Sequence, residues 1–156
     1  MNFRNYKRVS NKIDDMIAKY GHTVLGVLGS EDSPEFAYTI GLTEKYGHPE
    51  LLIIGTAMAT SQILLNAIAD RIKAGDKIKD GTLLTEIANL PLVIKEISVD
   101  AASEYALQAI NRYKETHLVP AFFQVVYPNK DGVFPWESNY SGGESQPQLW
   151  SKISLH

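Results

Sequence analysis

The chain has 156 residues, enough for one domain that buries roughly two-thirds of its unfolded surface without a disulfide or metal staple. Its 15 Lys and Arg stand against 18 Asp and Glu, a net charge of −3, and no basic run is long enough to track phosphates, which argues against nucleic acid as a partner. The absence of cysteine excludes disulfides, thiol nucleophiles and Cys-ligated zinc; together with an amino terminus that lacks the apolar centre of a signal peptide, it fits a cytoplasmic protein.

The only clustered cations, Arg4, Lys7 and Arg8, read as a solvated amino-terminal tail. Ser10 is placed to cap a first helix whose apolar positions Ile13, Met16, Ile17 and Tyr20 follow helical spacing, and Gly21 suits its left-handed end. His22 to Leu28 reads as a strand, Ser30 to Pro34 as a turn, and Phe36 to Leu42 as the hairpin partner. A third strand runs from Glu50 to Ile54. This apolar stretch is far short of the ~20 residues a membrane helix needs, so no membrane partner is expected.

From Met58 to Ala74 the apolar residues recur with helical period, and Gly75 supplies the stop. Thr82 to Asn89 fits either a strand or one helical turn. Leu92 to Ile97 reads as a strand, Asp100 as the cap of a helix running to about residue 115, and Ala121 to Tyr127 as the last strand. Asp131 and Gly132 mark a turn, and the Ser-, Gly-, Gln- and Pro-rich stretch after Tyr140 reads as a polar, mobile carboxy-terminal tail over 141–156. The expected architecture is a single α+β domain over 1–140, with a mainly antiparallel sheet and the helices packed on one face.

Candidate site residues fall in two segments. In Phe36 to Leu42, alternation sets Phe36, Tyr38, Ile40 and Leu42 on one face and Ala37, Thr39 and Gly41 on the other, so one face is bulky and one nearly bare. A bare face admits a closely packed helix, the more common case, or a flat ligand. Gly47-His48-Pro49-Glu50 sets an imidazole beside a carboxylate, which suits acid–base work or, more commonly for a lone His, a hydrogen-bonded turn. Gln124 is a polar residue inside an apolar strand and needs partners in backbone or ligand. Trp136 stands between Pro135 and Glu137 with Tyr140 close behind, so it walls a pocket or lids the core; the two readings are evenly matched. His22, His48, His117 and His156 have no metal-ligand spacing, and no phosphate-binding or nucleophile-elbow motif is present, so no metal is assigned and no cofactor is identified.

The run FAYTIGLTEKYGHPELLIIG from Phe36 and the run FQVVYPNKDGVFPWE from Phe123 together resemble bacterial proteins grouped as domain-of-unknown-function family 4262. The resemblance extends from about His22 to about Tyr140. It implies no catalytic residue, and Asn129 stands where an acid is expected after Pro128, so a carboxylate there is not essential to a shared activity.

Two readings from different classes follow. In the first, Tyr38, Trp136 and Tyr140 stack a small, flat, nucleotide-like ligand while Thr39, His48, Glu50, Gln124 and Glu137 orient it. In the second, the Trp136 loop is the hot spot of a protein-interaction module, such as an immunity or regulatory partner. An enzyme using His48 and Glu50 has no evident nucleophile, and the residues leave open whether there is catalysis. The single-pocket reading requires His48 and Glu50 to lie within side-chain reach of the Trp136 loop, and Trp136 is expected to contribute more to binding than to folding. Phe122, Phe123, Tyr127 and Phe134 on an edge strand suggest a homodimer.

Overall fold

A computed structural model describes residues 3–141 and 146–152, with side chains described for 7–141 and 146–150. The elements are α1 (Phe3–Tyr20), β1 (Thr23–Val27), β2 (Phe36–Ile40), α2 (Leu42–Tyr46), β3 (Glu50–Ile54), α3 (Met58–Lys73), β4 (Leu83–Leu84), β5 (Leu92–Ile97), α4 (Val99–Ala102), α5 (Leu107–Lys114) and β6 (Phe122–Val126), followed by a 3-10 turn at Leu149–Lys152. Six strands form one sheet in the order β1-β2-β3-β6-β5-β4; every neighbouring pair is antiparallel except β3 with β6. The α+β class with a mainly antiparallel sheet is therefore as expected.

The helices cover both faces of the sheet, not one. Ile13 and Ile17 of α1, Ala101 and Ala102 of α4, and Ala109, Ile110 and Tyr113 of α5 pack with Tyr38, Ile40, Leu52, Ile54 and Phe122 in one core. Leu64, Leu65, Ile68 and Ile72 of α3 pack with Ala37, Leu51, Ile53, Ile94 and Val125 in the other. The physical reason lies in the strands. All five residues of β3 and all five of β6 are buried, a composition that requires cover on both sides. Each fully buried Leu or Ile contributes about 1.5–3 kcal/mol relative to exposure.

β2 ends two residues earlier than its apolar pattern suggests. Gly41 adopts φ 114°, and a Cβ there would lie 2.9 Å from the Gly21 carbonyl oxygen and 3.0 Å from the His22 Cα. This glycine turns the chain into α2, an element the sequence reading missed, and carries Leu42 into the α3-side core, away from Tyr38 and Ile40. The bare strand face is the seat of a helix: Gly26 pairs with Ala37, and a Cβ on Gly26 would lie 2.1 Å from the Met58 sulfur at the start of α3.

Other boundaries differ locally. α1 begins at Phe3, ahead of the expected Ser10 cap, so the backbone of the cationic cluster is helical; the side chain of Arg4 lies outside the described residues. The helix expected over 101–115 is two, capped by Ser98, whose hydroxyl accepts the Ala101 amide at 3.0 Å; Asp100 lies inside the first turn. β6 is central, and Phe122 and Phe123 are buried within one chain, so they supply no surface for the expected dimer. Leu149 is buried in the core with α1 and α5, so the described part of the stretch read as a tail is docked. Residues 142–145 and 153–156 of that stretch lie outside the described residues.

Candidate functional site

The expected site residues separate into a buried node around Glu50 and Thr39, the structural side chains His48, Tyr38 and Gln124, and a surface turn around Trp136. Glu50 is fully buried at the start of β3. Its carboxylate accepts from the Thr39 hydroxyl (2.8 Å), the amides of Gly41 (3.1 Å), Leu42 (3.3 Å) and Thr43 (3.1 Å), and the Tyr113 hydroxyl (2.5 Å). Thr39 in turn accepts the Leu51 amide at 2.8 Å, and the Tyr113 oxygen accepts the Gly41 amide at 3.1 Å. Every partner of Glu50 donates, an arrangement suited to a carboxylate that caps the first turn of α2 from outside it. Burial pushes its carboxyl above the usual range; Tyr113, the Thr43 amide, Thr39 and the Gly41 amide pull it back. The node closes on itself and offers nothing to a ligand.

His48 faces the other side of the sheet. Its ring meets Phe123 edge-on at 5.9 Å, its Nδ1 donates to the Pro49 carbonyl (2.9 Å), and its Nε2 accepts the Ile78 amide (3.2 Å). The ring thus holds the β2–β3 turn against the segment after α3, with both nitrogens engaged. It lines a groove of about 550 Å3 rimmed by Lys73, Lys77 and Lys79, to which it presents a ring edge and no free nitrogen.

Tyr38 is buried beside Phe36, and its hydroxyl accepts the Gln108 amide at 3.2 Å; burial raises its pKa to about 12. Gln124 finds its partners in its own chain: Nε2 donates to the Pro147 carbonyl (2.7 Å) and Oε1 accepts the Leu149 amide (3.2 Å). Gln146 does the same in reverse, pairing both amide atoms with the backbone of Tyr127 at 2.9 Å each. Two glutamine side chains thereby act as short strand partners that fasten the carboxy-terminal segment.

Trp136 is 42 % exposed, yet its ring is engaged by its own chain. Phe134 stacks on it at 4.8 Å and 7°, Lys95 Nζ stands 4.7 Å from the ring centre, and Trp150 meets it edge-on at 5.7 Å. Glu137 accepts the Phe134 amide (2.6 Å) and closes the turn, and the Tyr140 amide donates to the Glu137 carbonyl (3.1 Å). Asn129 accepts the amides of Asp131 and Val133 and donates to Ser141, so its amide serves the same loop. Trp136 rests on Trp150, which packs on the α1/α5-side core, whereas His48 packs on the α3 side, so the two do not share a pocket.

A different place holds an unfinished group. His22 follows the αL Gly21 at the junction of α1 and β1 and is 6 % exposed. Its Nε2 lies 2.8 Å from the Asn66 amide oxygen, which puts the proton on Nε2 and leaves Nδ1 a bare acceptor. That Nδ1 is the one buried side-chain nitrogen or oxygen without a hydrogen-bond partner among the described residues. Burial pushes the imidazole below its usual pKa, Asn66 opposes this, Lys73 adds to it and Asp70 opposes it, so the surroundings favour the neutral ring.

His22 lines a cleft of about 470 Å3 between the end of α1, the edge strand β1 and α3. Gln62, Asn66, Asp70 and Lys73 line it from α3, while Met16, Tyr20 and Val24 give it an apolar side. The sequence reading weighed His22 only as a metal ligand and a strand start. The signal was available in the polar spacing 62, 66, 70, 73, a stripe along one side of α3 that the tracking of apolar residues passed over.

Among the described residues no helix is long and apolar enough to cross a membrane, and no three His, Asp or Glu side chains gather as a metal centre would require. No curated protein and no solved structure matches the chain. The profile of the family described as a domain of unknown function, DUF4262, matches residues 16–141. That span takes in every strand, the Glu50 node, the His22 cleft and the Trp136 turn and stops short of the docked carboxy-terminal segment; over it, the chain belongs to the DUF4262 family.

Proposed function

We propose that this domain binds a small polar molecule in the His22 cleft. The observation that carries the reading is His22, whose buried Nδ1 has no partner and which lines a cleft together with Asn66, Asp70 and Lys73. A buried acceptor without a partner costs roughly 1–3 kcal/mol, and a ligand donor, direct or through one bridging water, removes that penalty on binding. The neutral ring acts here as an acceptor and an orienting group. A flat ligand held between Tyr38 and Trp136 has no support, since one ring is in the core and the other is already stacked on Phe134 with Lys95 over it. An interaction module centred on Trp136 has that residue's exposure in favour and its stacking on Phe134 against.

The test is an NMR screen of the full chain with small polar fragments. Hits should shift the amide resonances of His22, Asn66, Asp70 and Lys73, and Asn66→Leu should abolish those shifts while the spectrum stays folded. Fragment shifts confined to the Lys77 groove or the Trp136 turn would overturn the assignment.

A further inference from the structure

Asp70 and Lys73 are three residues apart on α3, and both line the His22 cleft. Opposite charges at that spacing ordinarily pair with each other. Here they do not: Lys73 Nζ donates to the Tyr20 carbonyl at the end of α1 (2.5 Å), and neither side chain has an ion-pair partner among the described residues. Lys73 is thus drawn to the carbonyl end of a helix, where a cation is favoured, and Asp70 is left with an unmatched carboxylate. The cleft wall carries one unmatched charge of each sign, three residues apart on α3, and His22 and Asn66 line the same cleft.

Building on the cleft assignment above, we infer that the ligand is a zwitterion of the free amino-acid class with an apolar side chain. A ligand of net charge would satisfy one of the two groups and leave the other facing it with like sign. An ammonium pairs with Asp70, and a carboxylate on the adjacent carbon accepts from Lys73 and Asn66. Met16, Tyr20 and Val24 then contact the side chain. The cleft volume of about 470 Å3 admits a molecule of this size together with bridging water.

The experiment compares leucine with its two half-molecules, 3-methylbutylamine and 4-methylpentanoate, by amide shifts of the full chain. Leucine should bind at least about tenfold more tightly than either half. Asp70→Asn should weaken leucine and the amine but not the acid; Lys73→Gln should weaken leucine and the acid but not the amine, and Lys73→Arg should retain leucine. Both positions are on the helix surface, and the spectra report directly whether each variant is folded. A half-molecule that binds the cleft as tightly as leucine would overturn the ligand class and leave the cleft standing. If none of the three shifts the cleft resonances, the class is again overturned, and the fragment screen decides separately whether the cleft falls with it.

Discussion

Glu50 and His22 are both buried ionisable side chains where a strand begins, Glu50 as the first residue of β3 and His22 just before β1, and their surroundings differ in completeness. Five donors converge on Glu50 and each of its oxygens is satisfied by the chain itself. His22 has one nitrogen bonded and one bare, and it borders an open cleft. Buried polar groups are ordinarily paired, so a complete set indicates a group spent on the fold and an incomplete one a group held for something else. The lesson runs against the sequence motif, since His-Pro-Glu looked like chemistry and proves to be architecture.

The largest expected effect breaks the closed side of this comparison. Glu50→Ala leaves the amides of Leu42 and Thr43 and the hydroxyls of Thr39 and Tyr113 without an acceptor, and the Gly41 amide with the Tyr113 oxygen alone, and should destabilise the protein by at least about 3 kcal/mol in urea unfolding. Glu50→Gln should lose less, because one amide oxygen still accepts, yet its NH2 then confronts donors. A loss below about 1 kcal/mol in the alanine variant would mean that the node is not what holds α2 to the sheet.

Gln124→Met keeps the approximate shape and removes both bonds to the carboxy-terminal segment. A loss of about 2 kcal/mol is expected, with faster hydrogen exchange at Leu149 than at Leu51 as the local signature. Unchanged exchange at Leu149 would show that Leu149 and Trp150 hold the segment by packing alone.

Trp136→Ala should cost about 1 kcal/mol, well under the 3–5 kcal/mol typical of a fully buried aromatic, because its edge is already in solvent. Fragment binding at His22 should survive this change. Loss of cleft binding in this variant would join the β1 edge of the sheet to the β5 side, where Lys95 meets Trp136.

The smallest effect is a pH dependence, and it has opposite signs at the two groups. The folded pKa of His22 lies below 6.5, so its contribution is fully present above pH 6.5 and is lost as pH falls through the lower folded value. The folded pKa of Glu50 lies above 4.5, so its contribution is fully present below pH 4.5 and declines as pH rises through the raised value. Stability curves of His22→Gln and Glu50→Gln, each subtracted from that of the parent, should therefore slope in opposite directions across the acid range. Parallel slopes would contradict the directions given.

Much of the fold was legible, because strands such as Leu92–Ile97 and the helix from Met58 carry strong periodicity between clear stops. What escaped was set by contacts distant in sequence. α2 depends on a glycine pressed against Gly21 and on a carboxylate eight residues downstream of its first amide, neither of which local propensity reports. The docking of Leu149 depends on Gln124, and a Ser- and Gly-rich approach disguised it as a tail. The site reading named the residues of unusual types and found their partners nearby in the chain, whereas His22 and Asn66 are 44 residues apart and each is ordinary on its own.

The most direct measurement is the nitrogen NMR of the His22 ring in the full chain at pH 7. The account predicts a neutral ring protonated on Nε2, with Nδ1 resonating as an unprotonated nitrogen that shifts when a cleft ligand is added. A proton on Nδ1, an imidazolium, or an Nδ1 indifferent to every molecule that enters the cleft would contradict it.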